Sequence, residues 1–203
     1  MKLRYLATVV LLALTTVAAH AQSQDAPTQG NVGIYLNPIF IRVSNSVKET
    51  SPFALLGQNS TSKVFYGYNL GGFYDFLHAG NLTTGFDVRF SDLHANNGMI
   101  RNFLVGVRVS GQPFKRPLKP YVQLSGGLGT SKAPDSTVHV RKGEYGVFAG
   151  ADYTLGRHVD WRVAELGYGS LTTVSSATVG AGGNVAIPAS KLLSFSGGFV
   201  FRF

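Results

Sequence analysis

Few residues in this chain can do chemistry, and their spacing forms no recognisable reactive centre. Beyond the N-terminal apolar stretch the histidines are His78, His94, His139 and His158. None stands at metal-ligand spacing from another histidine or a carboxylate, and the absence of cysteine excludes thiolate metal sites and disulfides. Asp92 and His94 have the order of an orienting acid and a base. No nucleophile motif accompanies them, and Gly-x-Ser-x-Gly is absent. Gly126-Gly127-Leu128-Gly129 lacks the Lys-Ser/Thr and helix start of a phosphate loop; its glycines read as space-makers within a strand. That leaves Asp75, Asp87, Arg89, Arg108, Glu144, Asp152 and Glu165, isolated charges on otherwise small-residue faces. Two of the acids could serve as a general acid and base, but strand-locking ion pairs are the better reading. Asp87 and Arg89 share a face about 7 Å apart along a strand, so each is expected to pair across strands.

The elements that carry these charges alternate with period two. Eight strand-like segments can be read, at about 31–44, 63–76, 82–91, 100–110, 121–130, 143–154, 161–170 and from 191 to the end. In the second, Val64, Tyr66, Tyr68, Leu70, Tyr74 and Phe76 oppose Gly67, Asn69, Gly71 and Asp75. In the last, Leu193, Phe195, Phe199, Phe201 and Phe203 oppose Ser194, Ser196, Gly198 and Arg202. Pro38 suggests a bulge or a tolerated barrel irregularity in the first segment. The seventh is read with Arg162, Ala164, Leu166 and Tyr168 on the apolar side and Val163, Glu165, Gly167 and Gly169 opposite. This phase hides Glu165 and leaves Arg162 to snorkel from a strand end, unless a bulge reverses it.

The connections at 77–81, 111–119 and 155–160 are short. Those at 45–62, 92–99, 131–142 and 171–190 are longer on average and alternate with them, as periplasmic turns and outer loops do. On this reading His78 and His158 fall in short turns, and His94 and His139 in long loops. Only 14% of residues are charged, too few for the polar face to be a soluble protein's surface. Glycine, serine and sparse charges of both signs suit the interior of a narrow barrel, and the apolar faces then meet lipid. Tyr66, Tyr74, Phe76, Tyr145, Tyr153, Phe201 and Phe203 are placed as interfacial girdles. An eight-stranded interior leaves no room for a large pore. Lys115, Arg116 and Lys119 lie in a short turn, as a headgroup anchor or a plain solvated turn.

Lys2 and Arg4 precede an apolar run ending in Ala19-His20-Ala21, the pattern of a secretory signal peptide over 1–21. Residues 22–30 form a polar lead-in, and 31–203 the barrel domain. Cleavage removes two of the 18 Lys and Arg and none of the 10 Asp and Glu, taking the formal charge from +8 to +6. That excess suits anionic headgroups or lipopolysaccharide phosphates. Scattered basic residues on an exported chain argue against nucleic acid.

Three segments carry a family resemblance: GGFVFRF at 197–203, KPYVQLSGGLG at 119–129 and GVFAGADYTLGRHVDWRVAELGYG at 146–169. The chain resembles the small eight-stranded outer-membrane barrels: OmpA-like transmembrane domains, OmpX-like proteins and opacity-type surface proteins. The resemblance implies an all-β, eight-stranded antiparallel up-and-down transmembrane β-barrel in a bacterial outer membrane. It also implies insertion by the outer-membrane assembly machinery, with Phe203, Phe201 and Phe199 resembling the assembly signal. No peptidoglycan-binding segment follows, so no cell-wall tether is expected. The expected role is structural, adhesive or surface-interactive, without cofactor or catalysis, for a monomer that contacts outer-membrane lipids and lipopolysaccharide. An extracellular ligand would be met by loops 45–62 and 171–190. The alternatives are an outer-membrane lipid-modifying enzyme and a soluble calycin-like barrel; the latter lacks a Gly-x-Trp start, and the only tryptophan, Trp161, comes late.

Overall fold

The computed structural model describes residues 30–46, 48, 55–57, 59–111, 117–134, 137, 139–171 and 189–203; the expected signal peptide, Lys115, Arg116, part of loop 45–62 and most of loop 171–190 lie outside them. The strands are β1 Val32–Ser44, β2 Ser62–Ala79, β3 Leu82–Ala95, β4 Gly98–Gly111, β5 Leu118–Lys132, β6 His139–Thr154, β7 Val159–Leu171 and β8 Ser190–Arg202. Each pairs antiparallel with its sequence neighbour, and β1 closes on β8. Closure removes both sheet edges, so the backbone polar groups are satisfied without water. Backbone bonds from Val32 to Phe203 and back, at 3.2 and 2.9 Å, extend the seam to the last residue.

The strands outrun the apolar alternation that announced them. Residues 92–99, expected as a loop, are the tip of a continuous β3–β4 ladder that pairs as far as Ala95 with Gly98. Asn96 and Asn97 make the turn, both with positive φ (44° and 63°), which asparagine tolerates and a two-residue hairpin of this hand demands. Gly80, at φ 59°, starts the β2–β3 turn in the same left-handed region. Pro38 causes no bulge: β1 keeps one register with β2 through the Pro38–Tyr68 pair. Opposite β8 the ladder pairs lapse at Asn37 and Pro38 and resume in the same register, so the missing N–H is accommodated.

Register shifts do occur elsewhere. One, between Asp75 and Leu77, turns both Phe76 and Leu77 outward, and Phe76 stacks on Phe86 with ring centroids 4.7 Å apart. The other lies in β7 and shifts its pairing with β6 and β8 between residues 162 and 165. This bulge corrects the expected phase of the seventh strand at Arg162 and Val163 only; Leu166 and Tyr168 point outward and Glu165 inward, as expected. With Val163 outward, Arg162 and Glu165 both point inward, three residues apart, and both are buried. Arg162 does not snorkel.

The interior has two zones. Toward the end that carries the long connections it is apolar: Ile39, Ile41, Val43, Phe65, Leu93, Ile100 and Leu192 form one cluster, joined by Leu55 and Leu56 from the β1–β2 connection. The uniformly small, polar interior expected from sequence is therefore confined to the remainder. There polar and charged side chains pack with four inward aromatics, Tyr35, Phe73, Tyr121 and Phe148.

Candidate functional site

β3, β4, β6 and β7 bring most of the predicted charges together in the polar zone, and β5 adds Tyr121 and Gln123. Arg89 forks onto Glu165 with its two terminal nitrogens at 2.9 and 3.0 Å, the bidentate geometry that a planar guanidinium favours. One of them also donates to Gln123 at 3.0 Å, and Gln123 donates in turn to Asp87 at 2.7 Å. Asp87 additionally accepts from the Tyr35 hydroxyl and contacts Arg89 Nε on its own strand at 3.4 Å. Glu165 accepts from Tyr121 at 2.7 Å and Ser196 at 3.2 Å. Its Oε2 is 3.5 Å from Arg162, which donates to Asp152 at 2.9 Å. Arg108 donates to the other Asp152 oxygen at 2.6 Å. Charges therefore alternate from Asp87 through Arg89, Glu165, Arg162 and Asp152 to Arg108.

A second chain lies nearer the termini. Arg202 donates to Asp160 at 2.6 Å and to Asp75 at 3.2 Å, and Lys119 reaches Asp160 at 3.2 Å. Lys119 is therefore a β5 residue turned into the barrel, neither a headgroup anchor nor a solvated turn residue. Arg162, Arg202, Asp160 and Lys119 were absent from the sequence-derived network. The inward parity of the terminal strand did mark Arg202, but Asp160 fell in the expected 155–160 connection, which β7 in fact begins to occupy, and Arg162 was concealed by the β7 bulge.

Rings separate the guanidinium groups. Arg108 lies between Phe73 (4.2 Å) and Tyr121 (4.0 Å), and Arg162 between Tyr35 (4.5 Å) and Tyr121 (4.9 Å). Arg202 covers Phe73 at 4.8 Å, and Arg89 lies 4.0 Å from Phe148. Each cation thus meets a π-face as well as a carboxylate. Arg108 Nε and Nη1 and Arg162 Nη1, which have no hydrogen-bond acceptor, belong to these stacked groups.

Glu144 stands apart from this network. Its one hydrogen bond is accepted from Asn102 at 2.7 Å, and no cation pairs with it among the described residues. It borders an interior cavity of about 20 Å³ between the ion-pair zone and the apolar zone, space for about one water. At the loop end, Asp92 contacts both His94 (3.1 Å) and Arg101 (3.2 Å). The register places Tyr66 and Met99 opposite His94.

The outward face is the reverse of the interior. Ile34, Leu36, Phe40, Leu70, Phe86, Phe103, Val105, Leu124, Val147, Leu166, Phe195 and Phe199 are all exposed, with Tyr66, Tyr74, Tyr145, Tyr153, Trp161 and Phe203 among the outward aromatics. A soluble barrel cannot present such a belt while burying four arginines, which rules out the calycin-like alternative. Hydrocarbon is the surrounding that suits it.

No protein-family model matches the sequence, and no curated protein matches it. Solved structures do match the fold. Neisserial surface protein A (NspA) superposes with a TM-score of 0.57 at 15% identity, covering 87% of this chain and all of that one. Ail, the attachment invasion locus protein of Yersinia pestis, does so at 0.53 and 13%, with the same coverages. Its complex with the heparin analogue sucrose octasulfate gives 0.54 and 15%. With its closed antiparallel topology, apolar exterior and ion-paired interior, the chain has the fold of the small eight-stranded outer-membrane β-barrels.

Proposed function

We propose that the protein is an outer-membrane barrel that acts as a sealed, rigid platform for surface contact, exported by the signal at 1–21. The observation that carries this reading is the filled interior: ion pairs and rings occupy one zone, and an apolar cluster capped by Leu55 and Leu56 occupies the other. A barrel without a channel does its work at its rim. The longer connections, 45–62 and 171–190, share the end opposite the two termini, which is the cell-surface end in this reading. Support for a contact role also comes from Ail, whose structure has been solved with a heparin analogue; loops 45–62 and 171–190 are the segments of this chain that would meet such a partner.

The test joins two measurements. Purified barrel in a planar bilayer should show no stepwise ion conductance. Cells displaying it should adhere to a sulfated-glycan surface, and replacing residues 172–188 by a two-residue turn should abolish adhesion while the folded barrel stays at normal level. Steady open-channel conductance, or adhesion indifferent to both loops, contradicts the reading.

A further inference from the structure

On the outward face of β4, β5 and β6 the apolar belt gives way abruptly to cations near the loop end. The register aligns Arg101 with Thr130 and Thr130 with Arg141 across the three strands. Lys132 follows Thr130 with the same outward parity and pairs with His139. Two strand spacings separate Arg101 from Arg141, roughly 10 Å. Three permanent cations thus surround one threonine hydroxyl. Among the described residues the carboxylate at this level is Asp92, which contacts Arg101 through Nε at 3.2 Å and also His94.

Directly below lies a second feature on the same strands. Val105, Gly126 and Tyr145 share a register row, and the missing side chain at Gly126 opens a groove of about 480 Å³ lined by Phe86, Val105, Val107, Leu124 and Tyr145. A Cβ at Gly126 would come no nearer than 3.8 Å to its closest neighbour, Glu144 O. Backbone packing therefore does not require glycine there. Four residues separate Gly126 from Thr130, about 13 Å along the strand.

A cationic cluster above an apolar groove selects an amphiphile with anionic head and acyl tail. Cations spread over roughly 10 Å suit two phosphates better than the single phosphate of a phospholipid. We propose that Arg101, Lys132 and Arg141, with the groove at Gly126, form a binding site for one phosphorylated, acylated glycolipid of the outer leaflet, lipopolysaccharide. This rests on the loop end facing outward.

Native mass spectrometry of folded, detergent-extracted protein from cells tests it. The Arg101→Ala/Lys132→Ala/Arg141→Ala variant should retain about tenfold less lipopolysaccharide than wild type. Gly126→Leu, which keeps every cation, should retain several-fold less. Arg42→Ala/Lys191→Ala, at outward basic positions on β1 and β8, should retain the wild-type amount. Heat-modifiable mobility verifies that each variant is folded. Unchanged retention in the triple variant overturns the site, as does equal loss in the β1/β8 variant. Equal, equally sensitive binding of phosphatidylglycerol replaces the glycolipid with any anionic lipid and also overturns it. Lys132→Cys on intact cells reports the orientation separately. Labelling there by an impermeant maleimide with no effect of the triple substitution rejects the site alone; no labelling rejects the orientation and the site together.

Discussion

Glu165 is the residue on which the interior turns, because it holds Arg89 by a fork and lies against Arg162 while accepting from Tyr121 and Ser196. Removing one member of a buried charge cluster strands the others in a poorly solvated place. Glu165→Ala should therefore lower the unfolding free energy by about 3–5 kcal/mol. Urea unfolding in lipid vesicles, followed by the fluorescence of the sole tryptophan, Trp161, measures this. Glu144→Gln is the contrasting case: with Asn102 as its hydrogen-bond partner and no paired cation, it should change stability by no more than about 1 kcal/mol. Equal losses in the two variants would remove the distinction between network and bystander. The inward parity of Asp75, Asp87, Arg89, Arg108, Asp152 and Glu165 was legible because each sits in a regularly alternating stretch. Their partners were not, since pairing depends on barrel closure: Arg89 and Glu165 are 76 residues apart. The same parity turns Phe73, on the face of Asp75, and Phe148, on the face of Glu144 and Asp152, inward, although most aromatics of these strands point out.

At the scale of the strand, alternation fails where a residue is added. The β7 bulge makes Arg162 and Glu165 co-directional although they have opposite parity. The strand and its phase from Glu165 onward were legible in the sequence; the inward turn of Arg162, which only the added residue produces, was not. Deleting Val163 would give both flanking ladders a single register and keep Arg162 and Glu165 on one face. That deletion should still yield a heat-modifiable barrel. Deleting Val107 from unbulged β4 should not, because a one-residue slip inverts every side chain on one side of it. Arg108, now buried against Phe73 and Tyr121, would then meet lipid, at a cost of about 2–4 kcal/mol near the midplane. If both deletions fold equally well, phase is not what the bulge preserves. Hairpin tips obey the same local logic: Asn97→Val, forcing a β-branched residue to φ 63°, should destabilise by about 1–2 kcal/mol in the same urea assay.

Across the whole molecule, being stable once folded and becoming folded in the membrane are separable, and the last residue separates them. Phe203 ties its backbone to Val32 in both directions, so the seam closes whatever side chain it carries. The ring itself is 66% exposed on the outward face. Phe203→Ser should therefore refold from urea into detergent micelles with stability within about 1 kcal/mol of wild type. In cells the same variant should be exported normally but accumulate much less heat-modifiable barrel, if the terminal aromatic serves the assembly machinery. Normal barrel levels in cells would remove that role. A matching loss of stability in the refolded protein would instead make Phe203 a structural residue of the seam. The two measurements together decide between recognition and packing, which the alternation of the terminal strand, satisfied equally by both, cannot do.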